Sequence, residues 1–347
     1  MTGCRNLPIV GAAVNSELPE PGATTFPPWL QPPLAGLFAL VQSREMPPGM
    51  LVIGPHGVGK GLLVRTFLQR VTCTRAENEV VPCGRCNGCR GMLAGSHPEI
   101  LQVAPEEPGK EILIERIRAV IEFLSLSHSG PARLVFIEPA EAMNVNAANA
   151  LLKTLEEPPE GTMIVLSAAR PARLPPTIRS RCQRLRIPIP DPTQVRDWLA
   201  PLADQGLGVD EALAASLNRP LEARALLEDP VATENWRRDR EVLETLLRSG
   251  SPFPVIERLV QCDLGSLLPR MQCLLASAQQ FLVTGTWDDF GRLFPRDALE
   301  RFSVQRGYRE LARLFQESLQ WHRELPSTLN PQLRCESIVL RFWRHAT

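Results

Sequence analysis

The chain has 347 residues, 44% of them apolar, and carries 38 Lys and Arg against 38 Asp and Glu. That length holds two or three domains with a sizeable core, and the balanced charge gives no overall attraction to a polyanion. No run of 18 apolar residues occurs, so no membrane-spanning helix is expected. Nine cysteines are present, an odd number, and four fall in one short segment. That usage predicts a reducing, cytoplasmic setting and a metal site in place of a disulfide framework.

Residues 1–26 lack a long apolar core behind a basic start and read as a flexible leader, not a signal peptide. From 27 to 190, apolar runs alternate with amphipathic ones. "GMLVIG" (49–54) reads as a buried strand entering "GPHGVGKG" (54–61), and "GLLVRTFLQRV" (61–71) follows with helical spacing. "ILQVA" (100–104), "ARLVFIE" (132–138) and "TMIVLSA" (162–168) read as further strands. "ILIERIRAVIEFLSL" (112–126) and "NVNAANALLKTLEEP" (144–158) read as helices between them. This alternation predicts an α/β domain with a doubly wound parallel sheet. Three prolines close "QRLRIPIPDP" (183–192) and mark a boundary. Residues 191–231 then read as a small helical unit, and 232–347 as all-α, divided by Gly and Pro into about five helices.

"CTRAENEVVPCGRCNGC" spaces Cys73, Cys83, Cys86 and Cys89 as C-x9-C-x2-C-x2-C. Zn²⁺ takes four tetrahedral ligands and favours a tight C-x2-C pair. Gly84 and Gly88 are expected to permit the sharp turns that bring the thiolates onto one ion. His97, eight residues past Cys89, rivals Cys73 as the fourth ligand. Four protein ligands leave no open position, so the module, about residues 73–97, reads as structural. Free surface thiols are the alternative, disfavoured by three cysteines in seven residues.

"GPHGVGKG" is almost a phosphate loop. The pattern G-x-x-x-x-G-K-[ST] ends in a hydroxyl that ligates Mg²⁺; Gly54, Gly59 and Lys60 are in place, but Gly61 has no hydroxyl. The acidic motif of a nucleotide hydrolase ends a strand with Asp and Glu. Here "LVFIEPAEAM" supplies Glu138, Pro139, Ala140 and Glu141. A polar residue that senses the γ-phosphate often ends the next strand, where this chain has Ala168 and Ala169. Losses at Gly61, Glu138, Pro139 and the alanines predict a site that does not turn over. Weak nucleotide binding at Gly54, Gly59 and Lys60 and a glycine-rich packing turn remain the two readings of the loop.

"NAANALLKTLEEPPEGT" (146–162), followed by "RLPPTIRSRCQ" (173–183), resembles the AAA+ clamp-loader subunits of bacterial DNA polymerase III. Ser180-Arg181-Cys182 matches the SRC motif of that family, and the cysteine cluster follows the phosphate-loop helix as it does there. The resemblance is clear over about residues 27–230 and rests on length and composition beyond. It implies an AAA+ domain with an inserted zinc module, a small helical lid domain at 191–231 and an all-α collar domain at 232–347. Arg181 would act in trans on the ATP of a neighbouring subunit, as an arginine finger does. Among the arginines at 170, 173, 179, 181, 184 and 186, most read as a solvated face, and some would meet DNA phosphates.

Within the family, the residues side with the non-hydrolysing stator and not with the gamma/tau-type motor, which keeps a hydroxyl at position 61. The lid segment "NRPLEAR" (218–224) places Leu221 where the motor has a sensor arginine. The length, without a long tau-like tail, suits the stator. The partners implied are gamma/tau-type motor subunits, a delta-type subunit, the sliding clamp and primer-template DNA, with no membrane. An active motor is the alternative. A freestanding zinc-dependent nucleic-acid binder is a further one, opposed by the neutral charge and the lack of aromatic residues in "CGRCNGCRG".

Overall fold

The computed structural model describes residues 26–43, 45–74, 82–107, 109–126, 132–203, 207–248, 253–259, 262–324 and 331–343. The leader expected over 1–26 thus lies outside the described residues except for Phe26. The chain divides into two compact units, separated in sequence between Trp198 and Leu199.

The first unit holds a five-stranded sheet of β1 (Gly49–Ile53), β2 (Ile100–Val103), β3 (Arg133–Ile137), β4 (Thr162–Ala168) and β5 (Gln183–Arg186). Its order is β2-β3-β4-β1-β5, and every pairing is parallel, with Leu51 opposite Leu166 and Val135 opposite Ile164. Parallel strands are covered on both faces, so they are apolar at successive positions. β3 and β4 are accordingly buried almost throughout. β5 is different. Gln183, Arg184 and Arg186 are exposed, and the strand pairs only with β1, Met50 facing Gln183. The sequence boundary at 183–192 therefore contains a strand; an edge strand with polar residues carries no apolar run to announce it.

Helices α1 (Gln31–Gln42), α2 (Lys60–Val71), α3 (Asn87–Leu93), α4 (Ile114–Ser125), α5 (Val145–Glu156) and α6 (Pro176–Arg181) accompany the sheet. α4 buries Ile117, Val120 and Leu124, and α5 buries Ala147, Ala148, Leu151 and Leu155, all in one core with β1, β3 and β4. Such spacing puts one face of each helix inward. Asn144 begins α5 as a cap, its Oδ1 accepting from the Ala147 amide at 2.9 Å.

α7 (Pro192–Leu199) leads into the second unit, which holds α8 (Val209–Ala215), α9 (Pro220–Glu228), α10 (Pro230–Arg248), α11 (Phe253–Leu259), α12 (Leu264–Thr284), α13 (Arg296–Glu324) and α14 (Pro331–Trp343). Gly307, at φ 68°, kinks α13, and α12 packs along α13. The buried Asp239 pairs with Arg270, whose guanidinium also covers the Trp236 ring. Burial raises the Asp239 carboxyl above its ordinary range, against the opposing pull of Arg270 and Ser266.

Candidate functional site

Cys73 follows α2, Cys83 and Cys86 lie before α3, and Cys89 sits within it. Residues 75–81 of the expected module lie outside the described residues. The four sulfurs all lie within 4.8 Å of one another, with Cys83 to Cys89 and Cys73 to Cys86 each 3.9 Å apart. A tetrahedron with Zn–S bonds of about 2.3 Å has edges of about 3.8 Å, so this donor set fits a zinc-sized cation. Cys86 caps α3, its sulfur accepting from the Cys89 amide at 3.4 Å. Burial works to raise the Cys86 thiol, but hydrogen bonds from Cys89 and Thr74 outweigh it and bring the group down to about 6. Backbone hydrogen bonds from Arg85 and Cys86 lower Cys83. Cys89 is driven far upward by burial and by the sulfurs of Cys86 and Cys73. Four thiolates so close repel one another, and a dication is what would let them ionise together.

The two glycines of the cluster differ in role. Gly84 adopts φ 69° and makes a turn. Gly88 is helical, and the expectation of a sharp turn there is corrected. A Cβ on Gly88 would lie 2.0 Å from the Thr72 carbonyl oxygen. Its place is therefore set by the close approach of α3 to the end of α2, which brings Cys89 to Cys73. His97 does not join the group; its Nδ1 accepts from the Glu99 amide at 3.2 Å, and burial lowers its pKa.

The phosphate-loop sequence lies between β1 and α2, at the carboxyl end of the sheet, where doubly wound folds place their ligands. Gly59 opens α2 at φ 98°, a left-handed conformation costly for any other residue. Lys60 is buried, and its Nζ donates to the Pro55 carbonyl at 2.7 Å. Trp29 ties the loop from outside, donating from Nε1 to the Val58 carbonyl at 2.9 Å while meeting Trp198 edge-to-face at 5.0 Å.

Side chains fill the space ahead of Gly61. Arg65, one turn along α2, pairs with Glu138 just past β3, Nη2 to Oε2, at 2.7 Å. The other oxygen of Glu138 accepts from Ser167 Oγ of β4 at 2.9 Å. A Cβ on Gly61 would lie 2.4 Å from Glu138 Oε2 and 2.6 Å from Arg65 Nη1. Where a phosphate loop keeps its hydroxyl, this chain holds a carboxylate and a guanidinium. Glu141 is also engaged, its Oε1 accepting from the amides of Ala169 and Arg170 at 3.0 Å each. Pro139 offers no side-chain polar group, and Ala168 is buried. Each oxygen of Glu138 already accepts a hydrogen bond and a guanidinium lies against Gly61, so these residues are a poor fit for a magnesium-bound nucleotide.

Arg181 ends α6 and is exposed; its guanidinium pairs with Glu156 of α5 and donates to the Thr177 carbonyl at 3.0 Å. Ser180 Oγ donates to the same carbonyl at 3.1 Å. Cys182 is buried against β1, and burial pushes its thiol up to about 11. Of the other arginines between 170 and 186, Arg179 is half-buried and the rest are exposed. Leu221 lies on α9. Arg65, Ser167, Glu156 and Trp29 are the participants that sequence patterns missed. Arg65 carries a usable signal: a cation one turn after a hydroxyl-less phosphate loop.

Residues 33–191 match the family model described as "DNA polymerase III, delta subunit". The chain is 40% identical over 179 residues to the DNA polymerase III subunit delta' of Pseudomonas aeruginosa, a match covering 51% of this chain and 54% of that protein. The chain therefore spans about half of that relative's length. It is also 34% identical over 148 residues to the DNA polymerase III subunit tau of Bacillus subtilis, across 42% of this chain and 25% of the relative. The corresponding subunit delta' of Yersinia pestis is 34% identical over 251 residues, 70% of each chain. With a match of that extent, the chain belongs to the family of DNA polymerase III delta' subunits.

Proposed function

We propose that this chain is a non-hydrolysing stator of a replicative clamp loader, helping to place a sliding clamp on primed DNA. The first unit would be the AAA+ domain, over residues 27–190, with a zinc module held by Cys73, Cys83, Cys86 and Cys89. Residues 191–231 would form the lid and 232–347 the collar that joins gamma/tau-type motor subunits and a delta-type subunit. The observation that carries the reading is the engagement of Glu138 by Arg65 and Ser167 against Gly61. It engages the one carboxylate placed to ligate Mg²⁺, while Pro139 leaves no carboxylate to orient a water molecule. A motor reading draws on the tau relative and on the retained Lys60; steady ATP turnover by the isolated chain, abolished by Lys60→Ala, would establish it.

Arg181 gives the stator its part in the chemistry. A guanidinium is always charged and offers two parallel hydrogen bonds to a phosphate. In trans, it would exchange the Glu156 carboxylate for the γ-phosphate of ATP on the adjacent motor subunit. The test is a loader reconstituted with Arg181→Ala. Expected are normal assembly and a partial fall in DNA-stimulated ATP turnover and clamp loading, since an arginine finger contributes on the order of 10³-fold or more at the one site it serves. Arg181→Lys should rescue poorly. Unchanged rates in a normally assembled mutant loader would reject the trans-acting role.

A further inference from the structure

We infer that the Arg65 guanidinium stands where a nucleotide's magnesium ion would stand, so that an internal ion pair closes the loop to magnesium-nucleotide, over and above the lost hydroxyl. The inference rests on reading residues 54–61 as a phosphate loop. Three observations carry it. Glu138, at the end of β3, occupies the position of a metal-ligating acid, and each of its oxygens already accepts a hydrogen bond: Oε2 from Arg65 at 2.7 Å and Oε1 from Ser167 at 2.9 Å. Arg65 is nearly inaccessible, with 4% of its side chain exposed, and Glu138 is half-buried at 24%, so the guanidinium end of the pair is built into the core. Gly61 abuts the pair, and the place a Cβ would take is 2.4 Å from one partner and 2.6 Å from the other.

The consequence differs from that of a missing hydroxyl. If the hydroxyl alone were lacking, Mg²⁺ could still bridge Glu138 and the phosphates, because Mg²⁺ keeps several waters and needs only one or two protein carboxylates. With the guanidinium in place, the carboxylate is neutralised and a dication would be repelled. Restoring serine at position 61 is therefore insufficient, whereas removing the charge of Arg65 is what opens the site to metal.

The experiment is ATP binding to the purified chain by calorimetry, in Mg²⁺ and in EDTA. It compares wild type, Gly61→Ser, Arg65→Met and Arg65→Gln, with the fold of each checked by circular dichroism melting. In wild type and Gly61→Ser, Mg²⁺ should change ATP affinity by no more than about twofold. In Arg65→Met, which keeps the apolar stem, Mg²⁺ should tighten binding by about tenfold or more. Arg65→Gln keeps a donor to Glu138 without the charge and should gain the same dependence, which guards against a fold defect in the Met variant. Magnesium-tightened binding by wild type would overturn the inference. So would a folded Arg65 variant that lacks the gain. No other loader subunit is present, so the outcome is independent of the stator reading.

Discussion

The cysteine cluster and the phosphate loop lie at opposite ends of α2, and their side chains converge in opposite ways. Around the cluster, four groups of one kind approach within 4.8 Å. All are electron donors that repel as thiolates, and only an added cation satisfies them together. At the loop, the converging groups are complementary: guanidinium to carboxylate, hydroxyl to carboxylate. They hydrogen-bond one another, so the carboxylate is already engaged by donors of this chain. A set of donors of one sign calls for a ligand, while a set of mixed sign closes upon itself. Both regions carry recognisable motifs, and the sign of the neighbours decides which of them is suited to hold a cation.

The strongest way to break this comparison is to empty the cluster. Structural zinc contributes on the order of 10 kcal/mol to the folding of the small modules it organises. Protein prepared without chelator should contain about one zinc per chain, and Cys89→Ala should lose the metal and expose residues 73–97 to protease. Metal analysis that finds no zinc in unchelated wild type would end the contrast. Next in size is Gly88→Ala. Its new methyl would lie 2.0 Å from the Thr72 carbonyl oxygen, a backbone atom that cannot swing aside. Overpacking of this kind costs about 1–3 kcal/mol, and zinc retention should weaken with it, as read by melting and by chelator competition.

Gly61→Ser probes the other region and should cost less, about 1 kcal/mol, because the atoms it meets are side-chain ends. It restores the consensus hydroxyl and should nonetheless leave ATP turnover absent; turnover in Gly61→Ser would show that the hydroxyl was the only defect. Arg181→Ala should change the melting stability by less than about 1 kcal/mol, since a partly exposed ion pair with Glu156 contributes little. The smallest effect concerns Cys182, a buried cysteine outside the cluster. Its thiol, held up at about 11 by burial, stays protonated and unreactive at pH 8. After chelation, alkylation followed by mass spectrometry should label cluster cysteines and spare Cys182 until the chain unfolds.

β1 to β4 were legible because strands covered on both faces must be apolar, and runs such as "TMIVLSA" and "ARLVFIE" admit few other readings. β5 was not legible, since an edge strand with exposed Gln183, Arg184 and Arg186 is defined by its partner β1 alone. α3 was hidden too: seven residues with two glycines have little helical propensity. Cys86 caps this helix and the contact between Gly88 and Thr72 seats it. Spacing selected Cys73, Cys83, Cys86 and Cys89, and the four sulfurs do lie together, whereas His97 is engaged with Glu99.

The sequence by itself determined the alternation of strand and helix, the glycine and lysine frame of the loop and the identity of its missing groups. Each of these is local: a periodicity, a left-handed φ that only glycine tolerates readily, or an absent hydroxyl. Only the tertiary structure decided what occupies the vacated space. Arg65 and Glu138 are 73 residues apart, and Glu138 and Ser167 are 29 apart. Nothing in either segment specifies the other until β3, β4 and α2 pack side by side. A half-buried carboxylate is best satisfied by hydrogen-bond donors, and the fold supplies them from two elements that no local pattern connects.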